Sequence, residues 1–330
     1  MYLSSSRRPL AVAALLAFAG CSGASSPTTQ PSLANGPGSS FVRPGMPFAP
    51  AVHRNLVLPS IHPTYATKGS LVFVSDQDQL AVNIYQTKSL PSNPAPIASI
   101  AVSHGCPYGL ASDKKGTLYV ADNCGGSDVE EFAKGQTTLK TSITNGVSNP
   151  LGVAVDKSGT LYVSNYPASI TEYPKGATSP SKTITGGGLT NPFGMAVDKQ
   201  GNVFIADFGA VQVFELPAGG SSVTPLNLSG LVAPAGVAVD KKNGDLWVTD
   251  ENGHKVNVYA AGSTMPKQTI TDNGDPYAIS FQNTGKPKGE VVFSDVDSSS
   301  VYAFKPGQYM PYATLTNQII LPTGILITKL

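Results

Sequence analysis

Arginine is almost missing from this chain: its 330 residues hold four, Arg7, Arg8, Arg43 and Arg54, and beyond them, histidine apart, every basic side chain is lysine. Arginine supplies the planar, bidentate fork that grips phosphate and carboxylate. A body without it is not built to read nucleic acid, and no nucleic-acid partner is expected. Charge of either sign is scarce, at 13% of residues, about half the usual share. Cysteine occurs three times, at positions 21, 106 and 124, in no CxxC spacing, which excludes a zinc-ribbon or thioredoxin-type motif. The longest leading apolar run, Leu10–Ala19, is too short to span a bilayer. What is abundant is glycine (34) and proline (27), beside 41% hydrophobic residues. That mixture suits many short strands joined by turns around a sizeable core.

The first 21 residues have a basic start (Arg7-Arg8), the short apolar run and small residues before Cys21. This is the layout of an export signal. Ala19-Gly20-Cys21 resembles the lipobox of bacterial lipoproteins, with Phe18 where leucine is usual. The resemblance implies diacylation of Cys21, which becomes the new N-terminus and anchors the chain to a membrane. Ser22 resembles the pattern sorted to the outer membrane in a Gram-negative cell. Loss of Arg7 and Arg8 would leave 20 basic against 21 acidic residues. Residues 22–60, rich in Ser, Pro, Gly and Thr, read as a tether, whose last part, Phe48 to Pro59, has enough apolar residues to pack as a strap.

From residue 61 onward the chain repeats. Pro107-Tyr-Gly-Leu-Ala-Ser-Asp113 precedes Gly116-Thr-Leu-Tyr-Val-Ala-Asp122, and the pattern recurs from Pro150, Pro192, Pro234 and Pro276. The starts lie 43, 42, 42 and 42 residues apart, a repeat period to be read before any single motif. Each unit holds four strand-like runs. The first two are joined by an Asp-Lys-x-Gly turn, whose Asp bonds nearby N–H groups and whose Gly takes positive φ. The third ends in Tyr85, Phe132, Tyr173, Leu216, Tyr259 or Phe304, and the fourth is Thr-rich, as in Lys182–Thr185. Leu71–Asp76 is a second strand with no first strand before it, and Pro322–Thr328 is a first strand with nothing after it. The last strand therefore joins the first blade, closing six four-stranded blades into an all-β propeller and removing open sheet edges. A closed ring is expected to be a monomer.

The Pro-x-Gly-Val-Ala-Val-Asp…Gly-x-Leu-Tyr-Val-Ala-Asp signature resembles the NHL repeat and the wider group of six-bladed propellers that contains it, over residues 65–330. The Asn-x-Arg of that repeat is mostly absent, with His254-Lys255-Val256 its nearest approach. Group members that bind RNA use a basic face, so RNA binding is not carried over. The group also implies an alternative, a Ca- or Zn-dependent hydrolase, lactonase or lyase.

Antiparallel pairing brings the starts of the first strands and the ends of the second strands to one face. Asp76, Asp122, Asn165, Asp207, Asp250 and Asp295, one per blade, fall there, as do His104 and His254. Two readings are open. Each Asx caps its own turn, or the ring offers oxygens to a hard cation such as Ca²⁺ or to a ligand over the channel. Cys106 and Cys124 meet on the same face, and in an exported chain the pair fits a disulfide. Tyr108, Phe193 and Tyr277, each following a blade-opening Pro on alternate blades, either line the channel mouth or simply pack. The expected function is a non-catalytic binding scaffold that presents one face to a protein or glycan partner, with a purely structural envelope component as a further alternative.

Overall fold

The computed structural model describes residues 64–285 and 288–330. The expected signal at residues 1–21, Cys21 and the expected tether at 22–60 lie outside the described residues. The described chain forms six four-stranded antiparallel sheets. From the axis outward, blade 1 is Pro322–Lys329, Ser70–Asp76, Ala81–Gln86 and Ala98–Ala101. Blade 2 is Pro107–Ser112, Leu118–Asp122, Asp128–Phe132 and Leu139–Ile143, and blade 3 is Pro150–Val155, Leu161–Asn165, Ser169–Tyr173 and Lys182–Thr185. Blade 4 is Pro192–Val197, Val203–Asp207, Gln212–Leu216 and Thr224–Pro225. Blade 5 is Pro234–Val239, Leu246–Asp250, Lys255–Tyr259 and Pro266–Thr271, and blade 6 is Pro276–Phe281, Val291–Asp295, Ser300–Phe304 and Ala313–Leu315.

The composite blade 1 forms as the repeat requires. Ser70–Asp76 pairs with Pro322–Lys329 along its whole length, with Phe73 opposite Leu326 and Val72 opposite Ile327. The second strands are buried on both sides, as in LVFVS, LYVAD and VVFSD, because each blade packs against a neighbour on both faces. Outer strands alternate; Pro266–Thr271 is half-buried and exposed by turns, as expected of an edge with one solvated side.

Glycine at the third position of the inner strands is a consequence of how closely those strands approach. A Cβ on Gly324 would lie 1.9 Å from the Tyr108 carbonyl oxygen, and one on Gly152 would lie 2.2 Å from the Phe193 carbonyl oxygen. Hydroxyls stitch the same seams. Ser75, Ser164 and Thr249 donate to the carbonyls of Tyr108, Phe193 and Tyr277 in the following blade, at 2.6, 2.7 and 2.6 Å.

These stitches come from blades 1, 3 and 5; Ala121 and Ala206 stand at the equivalent places in blades 2 and 4, and Ser294 in blade 6 accepts the Ala278 amide of its own blade at 3.1 Å. The third strands alternate in step. Tyr85, Tyr173 and Tyr259 donate to Asn317, Asn145 and Ser229 carbonyls in the loops entering their own blades, at 3.0, 2.8 and 2.7 Å. Phe132, Leu216 and Phe304 end the even ones. The six-fold ring thus carries a three-fold alternation. Ahead of blade 1, Tyr65 donates its N–H to Gly135 at 2.9 Å and sets its ring edge-on to Phe73, so the entering chain leans on the outer part of blade 2. Among the described residues no helix is long and apolar enough to cross a membrane.

Candidate functional site

The strand directions give the propeller two unlike faces. One carries the ends of the second strands and the starts of the inner strands, here the Asx face. The other carries the Asp-Lys turns between inner and second strands, here the turn face.

On the Asx face, the five aspartates and Asn165 are buried, and their oxygens are engaged by the chain's own loops. Asp76 accepts N–H bonds from Gln79, Ile320 and Leu321; burial still pushes its carboxyl up to about 6. Asp122 accepts from the His104 and Cys106 amides at 2.6 and 2.8 Å. Asn165 accepts from Ser148, Asp207 from Thr190, Asn191 and Ala210, Asp250 from Val232 and Ala233, and Asp295 from Asp275, Asp297 and Ser298. In each case the loop entering the inner strand is pinned to the end of the second strand, satisfying amides that a buried loop would otherwise orphan.

The axis at this face is filled. The residue after each blade-opening proline is Thr323, Tyr108, Leu151, Phe193, Ala235 or Tyr277, and all six are buried. Phe193 meets Tyr277 edge-on at 4.9 Å and Tyr108 at 6.2 Å, the arrangement aromatic quadrupoles favour. Large residues come from blades 2, 4 and 6 and smaller ones from 1, 3 and 5, because six large side chains could not fit one axis. Tyr108, Phe193 and Tyr277 are therefore a plug. Below them the channel between the inner strands narrows to a cavity of about 40 Å³, room for a few waters.

Cys106 and Cys124 are joined in a disulfide with Cα atoms 5.1 Å apart, tying the loop before the inner strand of blade 2 to its second hairpin. His254 holds a left-handed backbone at φ 50°. Its Nδ1 lies 2.7 Å from the Gly274 carbonyl and 3.2 Å from Asp275, and the carbonyl contact raises its pKa. It is exposed and stands apart from His104, whose surroundings are in blade 2.

The turn face is open. The residue seven places after each blade-opening proline is Lys114, Lys157, Lys199, Lys241, Asn283 and Lys329 in blades 2, 3, 4, 5, 6 and 1. Five lysines thus stand around this face at one repeat position, four in the turns and Lys329 at the end of the closing strand, and Lys241 lines the mouth itself. Lys114, Lys157, Lys199 and Lys329 are exposed and Lys241 is half-buried. Lys241 donates its amide to Asn283 Oδ1 at 2.8 Å. Burial lowers its pKa, with Asp198 pulling it back up. It lines three adjoining spaces: the channel mouth, about 140 Å³; a cleft of about 360 Å³ between blades 4 and 5; and a groove of about 720 Å³ between blades 5 and 6. The groove wall holds the only tryptophan, Trp247, stacked on Tyr309 at 5.8 Å, with Lys267 and Phe281 beside them. Concave space walled by aromatics and a few convergent polar groups is the usual form of a ligand site.

The candidate residues of the repeat lie on the Asx face, and these three concavities lie on the opposite one. The signal for the turn face was in plain view, since Asp-Lys stands at four of the turns. In sequence the pair marks chain reversal, and only superposed blades bring those four lysines and Lys329 to one face.

A family model described as the NHL repeat matches residues 231–259, which cover the three inner strands of blade 5. No curated protein matches the chain. Solved structures do. A chain in the crystal structure of a nidogen/laminin complex is similar with a TM-score of 0.64 at 20% identity, over 79% of this chain and 99% of that one. A protein of unknown function from Bacteroides caccae is similar with a TM-score of 0.59 at 12% identity, again over 79% and 99%. At such identities the likeness is one of fold.

Proposed function

For a six-bladed β-propeller with an NHL repeat, we propose an exported, lipid-anchored, monomeric scaffold that binds a partner without catalysing a reaction on it, through the lysine-ringed turn face. The observation that carries this reading is the convergence at Lys241 of the channel mouth and two grooves, inside a ring of lysines. Such a ring favours an acidic surface on the partner and speeds its encounter at low salt. An acidic protein segment fits the grooves better than a compact ion, because they extend across two blade boundaries. Cys21 would hold the propeller on a membrane, and residues 22–60 would set its reach.

Poly-L-glutamate is a suitable first probe. Binding should weaken as salt rises, and a variant with Lys114, Lys157, Lys199 and Lys329 all changed to Glu should lose it while keeping the far-ultraviolet spectrum of the parent. Equal binding by that variant would remove the turn face from consideration, and preference for an uncharged glycan would replace the acidic protein partner. Mass spectrometry of the mature chain should find an acylated Cys21 at its start; an unmodified terminus at another residue would defeat the anchor.

A further inference from the structure

Blade 2 departs from the other blades where its second and third strands meet. The aspartate that ends each second strand faces the first residue of the third strand across the hairpin. The partners are Ala81 in blade 1, Ser169 opposite Asn165 in blade 3, Gln212 in blade 4, Lys255 in blade 5 and Ser300 in blade 6. Blade 5 places a lysine there, 3.5 Å from Asp250. Blade 2 instead sets Asp122 directly opposite Asp128. Like charges facing each other across a strand pair are destabilising, and both side chains are buried, at 0% and 2% exposure. A third buried acid, Glu130, follows two residues on along the same strand.

One side chain answers this charge. His104 Nδ1 lies 3.5 Å from Asp122 Oδ2 and 3.4 Å from Asp128 Oδ1. Both distances exceed the usual range of an N–H···O bond. They match the spacing of neighbouring ligand atoms around tetrahedral zinc, where bonds of about 2.0–2.1 Å put ligands about 3.3–3.4 Å apart. Asp128 Oδ1 is buried and accepts no hydrogen bond, although Oδ2 of the same carboxylate takes the Ser142 hydroxyl. An oxygen left bare in that way, aimed at an imidazole nitrogen and a second carboxylate, costs stability unless something occupies the space between them.

The surroundings hold these three groups in place. Asp122 fixes the backbone of the His104 loop through the His104 and Cys106 amides. The Cys106–Cys124 disulfide clamps that loop to the hairpin bearing the two aspartates. Gly126, inside the hairpin, leaves the room the imidazole fills; a Cβ there would lie 2.3 Å from His104 Nε2.

We propose that His104 Nδ1, Asp122 Oδ2 and Asp128 Oδ1 form a zinc site on the Asx face of blade 2. One imidazole with two carboxylates suits zinc better than calcium, which prefers an all-oxygen shell. The His104 ring is 31% exposed, so the fourth position opens to solvent and takes water or a partner's side chain. The site lies away from the channel axis and from the turn face, and it stands whether or not the scaffold reading holds.

The test uses the full chain stripped with EDTA and titrated with zinc chloride in a calorimeter. One zinc per chain and a rise in Tm are expected, and cobalt(II) in the same site should give the strong visible bands of a tetrahedral centre. Asp128→Asn should weaken zinc at least tenfold. It should also leave the stripped protein as stable as the stripped parent or more so, because the opposed charges are gone. Gly126→Ala, which displaces the imidazole, should weaken zinc as well and supplies the test if Asp128→Asn does not fold. The proposal is overturned by zinc that produces no heat and no Tm shift, by equal zinc affinity in both variants, or by calcium binding in preference. It is overturned too if Asp128→Asn lowers the Tm of the stripped protein, since His104 then acts as an imidazolium paired to both acids.

Discussion

Cutting the chain after Leu321 removes nine residues and with them the whole inner strand of blade 1. Ile325 and Ile327 are 4% and 2% exposed, and converting a buried isoleucine to alanine costs about 2–5 kcal/mol. The strand also carries the Thr323 hydroxyl bond to the Pro107 carbonyl at 2.6 Å, and the Ile327 amide bond to Ser280 at 3.1 Å. The two isoleucines alone amount to about 4–10 kcal/mol. This is the scale of a domain's entire stability, about 5–15 kcal/mol. The cut should therefore abolish folding of all six blades, because Pro322–Lys329 is wedged between the inner strands of blades 2 and 6. Ile327→Ala is the graded form and should cost about 3 kcal/mol, shifting a urea midpoint by roughly 1 M if the slope is near 3 kcal/mol/M. Trp247 makes the cooperativity visible, being the sole tryptophan and sitting in blade 5, two blades from the change. Its fluorescence and the far-ultraviolet circular dichroism should shift together in Ile327→Ala. A Trp247 transition that stays put while the dichroism signal shifts would refute the closed cooperative ring and favour blades that melt as nearly independent repeats.

Two further changes bear on the seams. Replacing Cys106 and Cys124 by serine opens a loop spanning 18 residues of sequence separation, which a chain-entropy estimate sets at about 3 kcal/mol. Calorimetry should show a Tm loss of roughly 6–12 °C, and an unchanged Tm would mean that packing alone holds the blade 2 loop. Gly152→Ala pushes a Cβ against the Phe193 carbonyl and should destabilise by about 3 kcal/mol, measured by urea titration. Tolerance of that alanine would show that the inner strands can move apart and that close approach is not what requires their glycines.

Much of the architecture was legible in the residues. The interval between blade-opening prolines defines the blade, and an unmatched second strand at Leu71 with an unmatched first strand at Pro322 forces closure. The disulfide followed from topology, since the start of one strand and the end of its antiparallel neighbour must share a face. Capping of nearby N–H groups by the Asx residues is one of two readings the residues allow, and a repeat cannot separate a cap from a ligand because it sets identity and order but not which N–H groups come within bonding distance.

What the sequence determined by itself is thus the closed six-bladed ring, because hydrogen-bonded strand order follows directly from a period of turns and alternating residues. Only the tertiary structure decided which face is open. The plug forms because Tyr108, Phe193 and Tyr277, about 85 residues apart along the chain, converge on one axis and exclude one another's neighbours by volume. The lysine ring and the opposed pair Asp122 and Asp128 arise in the same way. Their effects depend on distances across blades and hairpins, where electrostatic energy changes steeply with separation and burial, and neither quantity is written in the order of residues.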